Sequence, residues 1–416
     1  MNRTMITGER IMYVDAATPL NCVFVARIQG APDADGIRHA LAGIQRKHPL
    51  LRARIENGRV PRFVSDPEIG EIPVRIVDRQ TDYDWQAESE REWVTLFDNP
   101  GLPLARLVWV RSAGRSELLL VLPHCVCDGT TFVALMRELL TLLDNPTADI
   151  GFSKGFDSVS DLLPTGFRAS FGKTLKTRFF GLLAKGFFLL KPGAEHTPAG
   201  RAYALRWSLD EPETTALLRY AKETGVSVHV AICAAILKAF QNVRGAEAHG
   251  KAICPADIRR YLPAITDDTM FAFAPIVELK LPEEGEFQEA AVSLKKQLAE
   301  KLAGLDAAGL LWSSEFFHGS VRKMVSFLRA TPGTHDVTFS NMGKVAIPEV
   351  FSSFEVERLF TPTVAFPWMN PNTLVVSSYK GKMDFVFLSR DTFLPIEEAE
   401  RIRDRALQFL PALTHA

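Results

Sequence analysis

The stretch Leu118-Leu119-Leu120-Val121-Leu122-Pro123-His124-Cys125-Val126-Cys127-Asp128-Gly129 decides how this chain is read. Its opening apolar run, bounded by a proline, has the length and composition of a buried strand. Proline has no amide proton to give a ladder, so Pro123 is expected to stop the strand's hydrogen bonding just ahead of His124. Thr131 to Leu143 then sets Phe132, Leu135, Met136, Leu139 and Leu143 on one helical face. His124 is therefore presented between a buried strand and an amphipathic helix. A neutral imidazole near its ordinary pKa can take a proton from a hydroxyl or an amine at neutral pH. Asp128 follows four residues later, and Gly129 lets the loop turn sharply. By spacing alone, such a His–Asp pair is more often structural than catalytic.

Upstream, Asn21 to Gln29 is apolar and β-branched enough for a strand, and Asp33 to His48 has helical spacing at Ile37, Leu41, Ile44 and Gln45. Leu50 to Ile55 and Val60 to Val64 are expected to form a hairpin, with Asn57-Gly58 supplying the positive φ angles of a tight turn. Leu104 to Val110 and Glu117 to Leu122 form a second strand pair. Downstream, regular patterning loosens from Asn145 to about Gly200. Order resumes with a strand at Ala202 to Leu209, a helix at Glu211 to Gly225 and a strongly apolar helix at Ser227 to Phe240. Further strands are predicted at Lys251 to Pro255, Ile276 to Leu281, Val337 to Asn341, Phe354 to Leu359, Leu374 to Tyr379 and Met383 to Leu388. Lys380-Gly381-Lys382 turns the last pair, and Pro395 to Phe409 closes as a helix.

A chain of 416 residues is long for one core, and the mixture of strands and helices in both halves predicts an α/β protein of two lobes. The expected division is an N-terminal lobe at 1–150, a linker at 151–200 and a C-terminal lobe at 201–416. The linker contains Phe167 to Lys191, which intersperses Arg168, Lys173, Lys176, Arg178, Lys185 and Lys191 with phenylalanine and leucine. That composition suits an interfacial helix in contact with a membrane surface. The simpler expectation is a linker helix packed on the body with its cations in water.

Apolar residues make up 47% of the chain and charged residues 23%, with a formal net charge of -1. This excludes a disordered chain and gives no basic excess for a nucleic acid. Five scattered cysteines, an odd number, read as reduced thiols of a cytoplasmic protein, and Met1 to Arg10 lacks the pattern of an export signal. No metal site is expected: Cys125 and Cys127 lack the two-residue gap of zinc knuckles and are read as small core hydrophobes. His48, at a helix end beside Pro49, is read as structural. Phe271 to Pro275 and Phe366 to Met369 are read mainly as core, with a tunnel lining as the alternative.

The motif His124-x-x-x-Asp128-Gly129, after an apolar strand and before an amphipathic helix, resembles the active-site motif of the chloramphenicol-acetyltransferase-like superfamily. That superfamily includes peptide-synthetase condensation domains, plant-type HxxxD acyltransferases and polyketide-associated acyltransferases. Lys47-His48-Pro49-Leu50-Leu51-Arg52 resembles its early His-Pro-x-Leu-Arg segment. Pro255-Ala256-Asp257-Ile258-Arg259 resembles Pro-x-Asp-x-Arg, and Ser340-Asn341-Met342-Gly343 resembles Ser-Asn-x-Gly. The four segments stand in the superfamily's order, and that joint order carries the resemblance.

The resemblance implies two similar lobes in a V, with a tunnel reaching His124 from both faces. It also implies acyl transfer from a thioester of coenzyme A or of a phosphopantetheinyl carrier to a small-molecule alcohol or amine, with no permanently bound cofactor. His124 is then the general base and Asp128 pairs with Arg259 as structural support. The Gly129 amide is a candidate oxyanion donor, and Ser340 and Asn341 are candidate tunnel or substrate contacts. Condensation domains carry two histidines in tandem, and Pro123 replaces the first, which favours an ester-forming enzyme. A monomer of secondary-metabolite or lipid biosynthesis is the expected setting, with an acyl carrier protein as one of the two candidate donors beside coenzyme A. The alternatives are a stand-alone amide-forming condensation enzyme and an inactive bilobed binding module.

Overall fold

The computed structural model describes residues 1–410, and the last six residues of the stretch read as the second lobe, 411–416, lie outside it. Its first part runs β1 (Asn2–Thr4), α1 (Thr7–Tyr13), β2 (Asn21–Gln29), α2 (Ala34–Lys47), β3 (Ala53–Glu56), β4 (Arg62–Ser65), β5 (Val74–Asp78), α3 (Asp84–Trp93), β6 (Arg106–Arg111), β7 (Arg115–Pro123) and α4 (Gly129–Asp144). The two central helices start where side chains cap them. Asp33 accepts from the Gly36 amide ahead of α2, and Asp128 accepts from the Thr131 amide ahead of α4. α2 and α4 pack together on one face of the sheet. Gly43 makes their close approach feasible, because a Cβ there would stand 2.5 Å from Leu142 Cδ1. β7 is buried along almost its whole length, consistent with its apolar run.

Two local expectations need correction. β3 and β4 do pair antiparallel, from Ala53↔Ser65 to Glu56↔Arg62, but Asn57 to Pro61 lie in the connection. Neither Asn57 nor Gly58 takes a positive φ. The wider loop is held from outside, by the Tyr13 hydroxyl donating to Asn57 Oδ1 at 2.8 Å. The stretch before it is a 3-10 turn over Pro49–Arg52, as the fixed φ of proline favours, and only then a strand. Pro123, for its part, does not end the ladder. It pairs with Asn21 as the last residue of β7, and His124 donates its own amide to the Leu20 carbonyl at 2.8 Å. The imidazole is thus tied to the sheet by its own backbone.

After α5 (Phe171–Leu189), the second part comprises β8 (Ala202–Leu209), α6 (Glu211–Thr224), α7 (Val228–Arg244), β9 (Lys251–Pro255), β10 (Ile276–Lys280), α8 (Phe287–Ala303), α9 (Ala307–Ser314), α10 (Val321–Ala330), β11 (Val337–Lys344), β12 (Val356–Val364), β13 (Thr373–Tyr379), β14 (Lys382–Arg390) and α11 (Ile396–Phe409). Six strands form a mixed sheet in the order β10-β9-β11-β13-β14-β8, covered by the buried helix α7 with α11 beside it. Lys380 and Gly381, both at positive φ, turn β13 into β14 as a two-residue loop, and Lys382, read as part of the turn, already pairs with Tyr379 as the first residue of β14.

The strand read at Phe354 to Leu359 lies at Val356–Val364 and does not join this sheet. It crosses to the first, where it pairs antiparallel with β2 from Val356↔Ile28 to Val364↔Cys22, giving the order β12-β2-β7-β6-β5. The stretch 201–416 therefore contributes a strand to the sheet that carries His124. β12 is also bonded to its own neighbours, with Thr361 Oγ1 and Ser377 Oγ 2.7 Å apart. It sutures the two sheets together.

Within the stretch read as the linker, the helix expected over Phe167 to Lys191 spans Phe171–Leu189 and is capped by Ser170. Its packing is opposite to the expectation of a soluble helix, because the residues turned to the body are small and most of the large apolar ones face outward.

Candidate active site

The seven-residue run forms a 3-10 turn over His124–Val126, then an extended step at Cys127, then the start of α4. The turn folds the imidazole back, and Nδ1 lies 2.9 Å from the Cys127 carbonyl oxygen. A carbonyl can only accept, so this contact places the proton on Nδ1 and leaves the lone pair of the neutral ring on Nε2. The ring is part-buried, with Phe366 at 5.9 Å between centroids and Trp368 stacked behind Phe366. Burial pushes the His124 pKa down, hydrogen bonding to Cys127 pushes it up, and the net displacement is upward from 6.5.

The Asp128 carboxylate is engaged by the start of α4 and by Arg259. Its Oδ1 caps α4 at the Thr131 amide, 2.9 Å away, and both carboxylate oxygens receive Arg259, at 2.5 Å from Nη1 and 3.0 Å from Nη2. Arg259 also donates to Thr131 Oγ1 at 3.0 Å and to the Thr266 carbonyl at 3.2 Å. Its guanidinium sits over the Phe271 ring. Phe271 is fully buried beneath it and belongs to the core, while Phe366 is the aromatic that approaches His124. The ion pair joins the first lobe's helix start to the second lobe's Pro-x-Asp-x-Arg segment.

The fourth segment also reaches the site. A Cβ on Gly129 would lie 3.3 Å from Met342 Cε, so the absence of a side chain there lets β11 close on the start of α4. Asn341 directs Oδ1 to the Gly343 amide at 2.8 Å, shaping the turn in which Gly343 takes φ +66°. Ser340 is partly exposed on β11.

Spacing did not indicate the company His124 keeps. Cys22, from β2, stands beside Cys127, and their sulfurs and a His124 ring nitrogen lie within 4.8 Å of one another. All five cysteines are free and buried. The Cys127 thiol is pushed well up, first by its bond to Cys22 and then by burial, and burial does the same to Cys125. Both are neutral thiols at physiological pH, which opposes a cysteine nucleophile.

His48 is structural, as read, but its setting is new. Its Nε2 lies 2.7 Å from Glu138 Oε2, and Lys47 Nζ lies 2.6 Å from Glu138 Oε1 and 2.9 Å from Asp268. Glu138 on α4 thus gathers the early motif beneath the helix that starts at Asp128. Replacing Glu138 by alanine leaves buried His48 without its partner while Lys47 keeps Asp268, and is expected to lower stability by about 1–3 kcal/mol in urea unfolding.

Two surface pockets, of about 170 and 420 Å³, lie against β5 and β6 on the outer side of the first lobe. Neither is lined by His124.

The fold recurs among solved structures at low sequence identity. Trichothecene 15-O-acetyltransferase from Fusarium sporotrichioides superposes with a TM-score of 0.74 at 14% identity, over 99% of this chain and 95% of that one. Polyketide synthase associated protein 5 from Mycobacterium tuberculosis gives 0.65 at 18% identity, over 99% of both chains. The first condensation domain of the calcium-dependent antibiotic synthetase gives 0.69 at 17%, over 99% and 96%. No curated protein matches the sequence. Residues 198–388 match the family described as phthiocerol/phthiodiolone dimycocerosyl transferase C-terminus, and the chain as a whole has the two-lobed fold of the chloramphenicol-acetyltransferase-like superfamily that its motifs resemble.

Proposed function

We propose that this chain is a monomeric, cytoplasmic acyltransferase that moves an acyl group from a coenzyme A or carrier-protein thioester to an alcohol, in secondary-metabolite or lipid biosynthesis. The observation that carries the reading is the 2.9 Å contact from His124 Nδ1 to the Cys127 carbonyl, which leaves Nε2 as the base. Nε2 takes the proton of the acceptor hydroxyl as its oxygen bonds to the thioester carbonyl carbon. The tetrahedral intermediate then collapses, the carbon–sulfur bond breaks, and the imidazolium returns the proton to the leaving thiolate. The oxyanion of that intermediate falls to the Gly129 amide, at the positive end of α4. Asp128 and Arg259 keep the loop in shape and take no part in proton transfer. Ser340 and Asn341 flank the substrate passage between the lobes. Pro123 in place of a first histidine supports an ester product over an amide.

The test is direct. The purified chain is mixed with acyl thioesters from acetyl to long-chain, with alcohols and with amines, and thiol release and product mass are followed. Alcohol-dependent release with ester formation supports the reading. Amide formation selects the condensation alternative, and no turnover with any pair leaves an inactive binding module. The upward displacement of the His124 pKa adds a pH signature. Only the neutral ring is a base, so the rate should rise with pH through an inflection above 6.5.

A further inference from the structure

We infer that α5 is a docking surface for an anionic lipid bilayer. The helix is built inside out. Toward the body it turns Thr174, Thr177, Gly181 and Ala184, with Phe188 resting on Phe327 of α10. Gly181 lies so close to the Phe316 carbonyl that a Cβ would stand 2.8 Å from its oxygen, so the contact is made by small residues by necessity. Outward it exposes Phe171, Leu175, Phe179, Leu182, Leu183 and Leu189, with Leu175 60%, Phe179 57% and Leu182 69% exposed. An ordinary surface helix hides such residues, and a contiguous apolar face of this kind marks an interaction site.

Charge identifies the occupant. From Leu162 to Ala194 the chain has six cations, Arg168, Lys173, Lys176, Arg178, Lys185 and Lys191, and no aspartate or glutamate, in a protein whose net charge is -1. Lys173 is engaged by Asp306. The others stand among the exposed phenylalanines and leucines, with Lys176 near the Phe180 ring and Lys191 near the Phe187 ring. Apolar side chains flanked by unopposed cations fit the acyl and phosphate layers of an anionic membrane at once. A protein partner with a purely apolar groove would have to desolvate those cations. No single helix among the described residues is long and apolar enough to cross a membrane, so α5 lies in the interface. It packs on α10, α10 on α1, and α1 on the turn that carries His124, which places the bilayer within three packed elements of the base.

The full chain is sedimented with vesicles of phosphatidylcholine alone and of phosphatidylcholine with phosphatidylglycerol, at low and high salt. The expected result is binding to the anionic vesicles that weakens as salt screens it. The variant Phe179→Glu/Leu182→Glu, checked for an unchanged melting profile, should bind at least about tenfold more weakly, because both side chains are exposed and their loss removes apolar contact and adds repulsion. Wild-type protein that stays in solution with anionic vesicles, or a variant that pellets equally, overturns the inference. So does a wild-type dimer in solution that the variant converts to monomer, since the face would then belong to a second copy. None of these readouts depends on acyl transfer, so this inference and the proposed reaction fail separately.

Discussion

Substituting alanine for His124 is expected to lower kcat by about 10²–10⁴ in the alcohol-dependent thiol-release assay, the range a positioned general base contributes. The physical reason is specific to this ring. Its Nδ1 proton is committed to the Cys127 carbonyl, so the same side chain that is oriented by the backbone has one free lone pair. Alanine removes the base and leaves the strand ladder intact, because the link to β2 uses the His124 amide and not its side chain. The melting profile should therefore stay near wild type while turnover falls, and KM for the thioester should change little. A histidine variant that keeps wild-type turnover would remove the proposed mechanism. Glutamine is a useful companion, since it can occupy the space and donate to the carbonyl but cannot take a proton near neutrality.

The Arg259–Asp128 pair should produce the largest stability effect of the site. Arg259→Met leaves a carboxylate that is mostly enclosed, its side chain 21% exposed, without its cation, and is expected to cost roughly 3 kcal/mol in urea unfolding, the low end for a buried pair. Asp128→Asn keeps an oxygen to cap α4 while removing the charge. The double variant is expected to lose less than the two single losses combined, with a coupling of about 0.5–3 kcal/mol. Simple additivity in that cycle would mean the two side chains do not support one another, and the joint between the lobes would have to be sought elsewhere. The turnover of each variant, measured well below its melting temperature, should fall far less than that of the His124 variant, because both groups are engaged with each other and with the start of α4.

What could be read beforehand follows the physics of each signal. β7 and α4 were legible because an apolar run and a helical period reflect burial on one face, which local sequence records. α3 was not, since half of Asp84–Trp93 is charged and the helix contributes only Trp85 and Trp93 to a core. α8 and α9 likewise bury few and mostly small residues, Ala290, Ala291 and Leu294 on one and Ala307, Gly309 and Leu311 on the other, which gives a weak apolar period. Partner choice is the larger gap. Val356–Val364 is readable as a strand, but nothing in its alternation says that it pairs with β2 in the other lobe. At the site, the Asp128–Arg259 pairing came from the resemblance, and Cys22 beside His124 came from register alone, because β2 and β7 run antiparallel with Cys22 opposite Leu122. The Asn57-Gly58 turn failed because a side-chain bond from Tyr13 outweighs a local preference.

The crossing of β12 has a consequence for biosynthesis. Until residue 364 leaves the ribosome, the sheet that holds His124 lacks its edge strand, and β2 stands as an open, apolar edge competent to pair with another nascent chain. Most of the polypeptide must be made before its first domain can be sealed, so this protein should depend on chaperones during synthesis, and a fragment ending near residue 150 should aggregate when expressed alone.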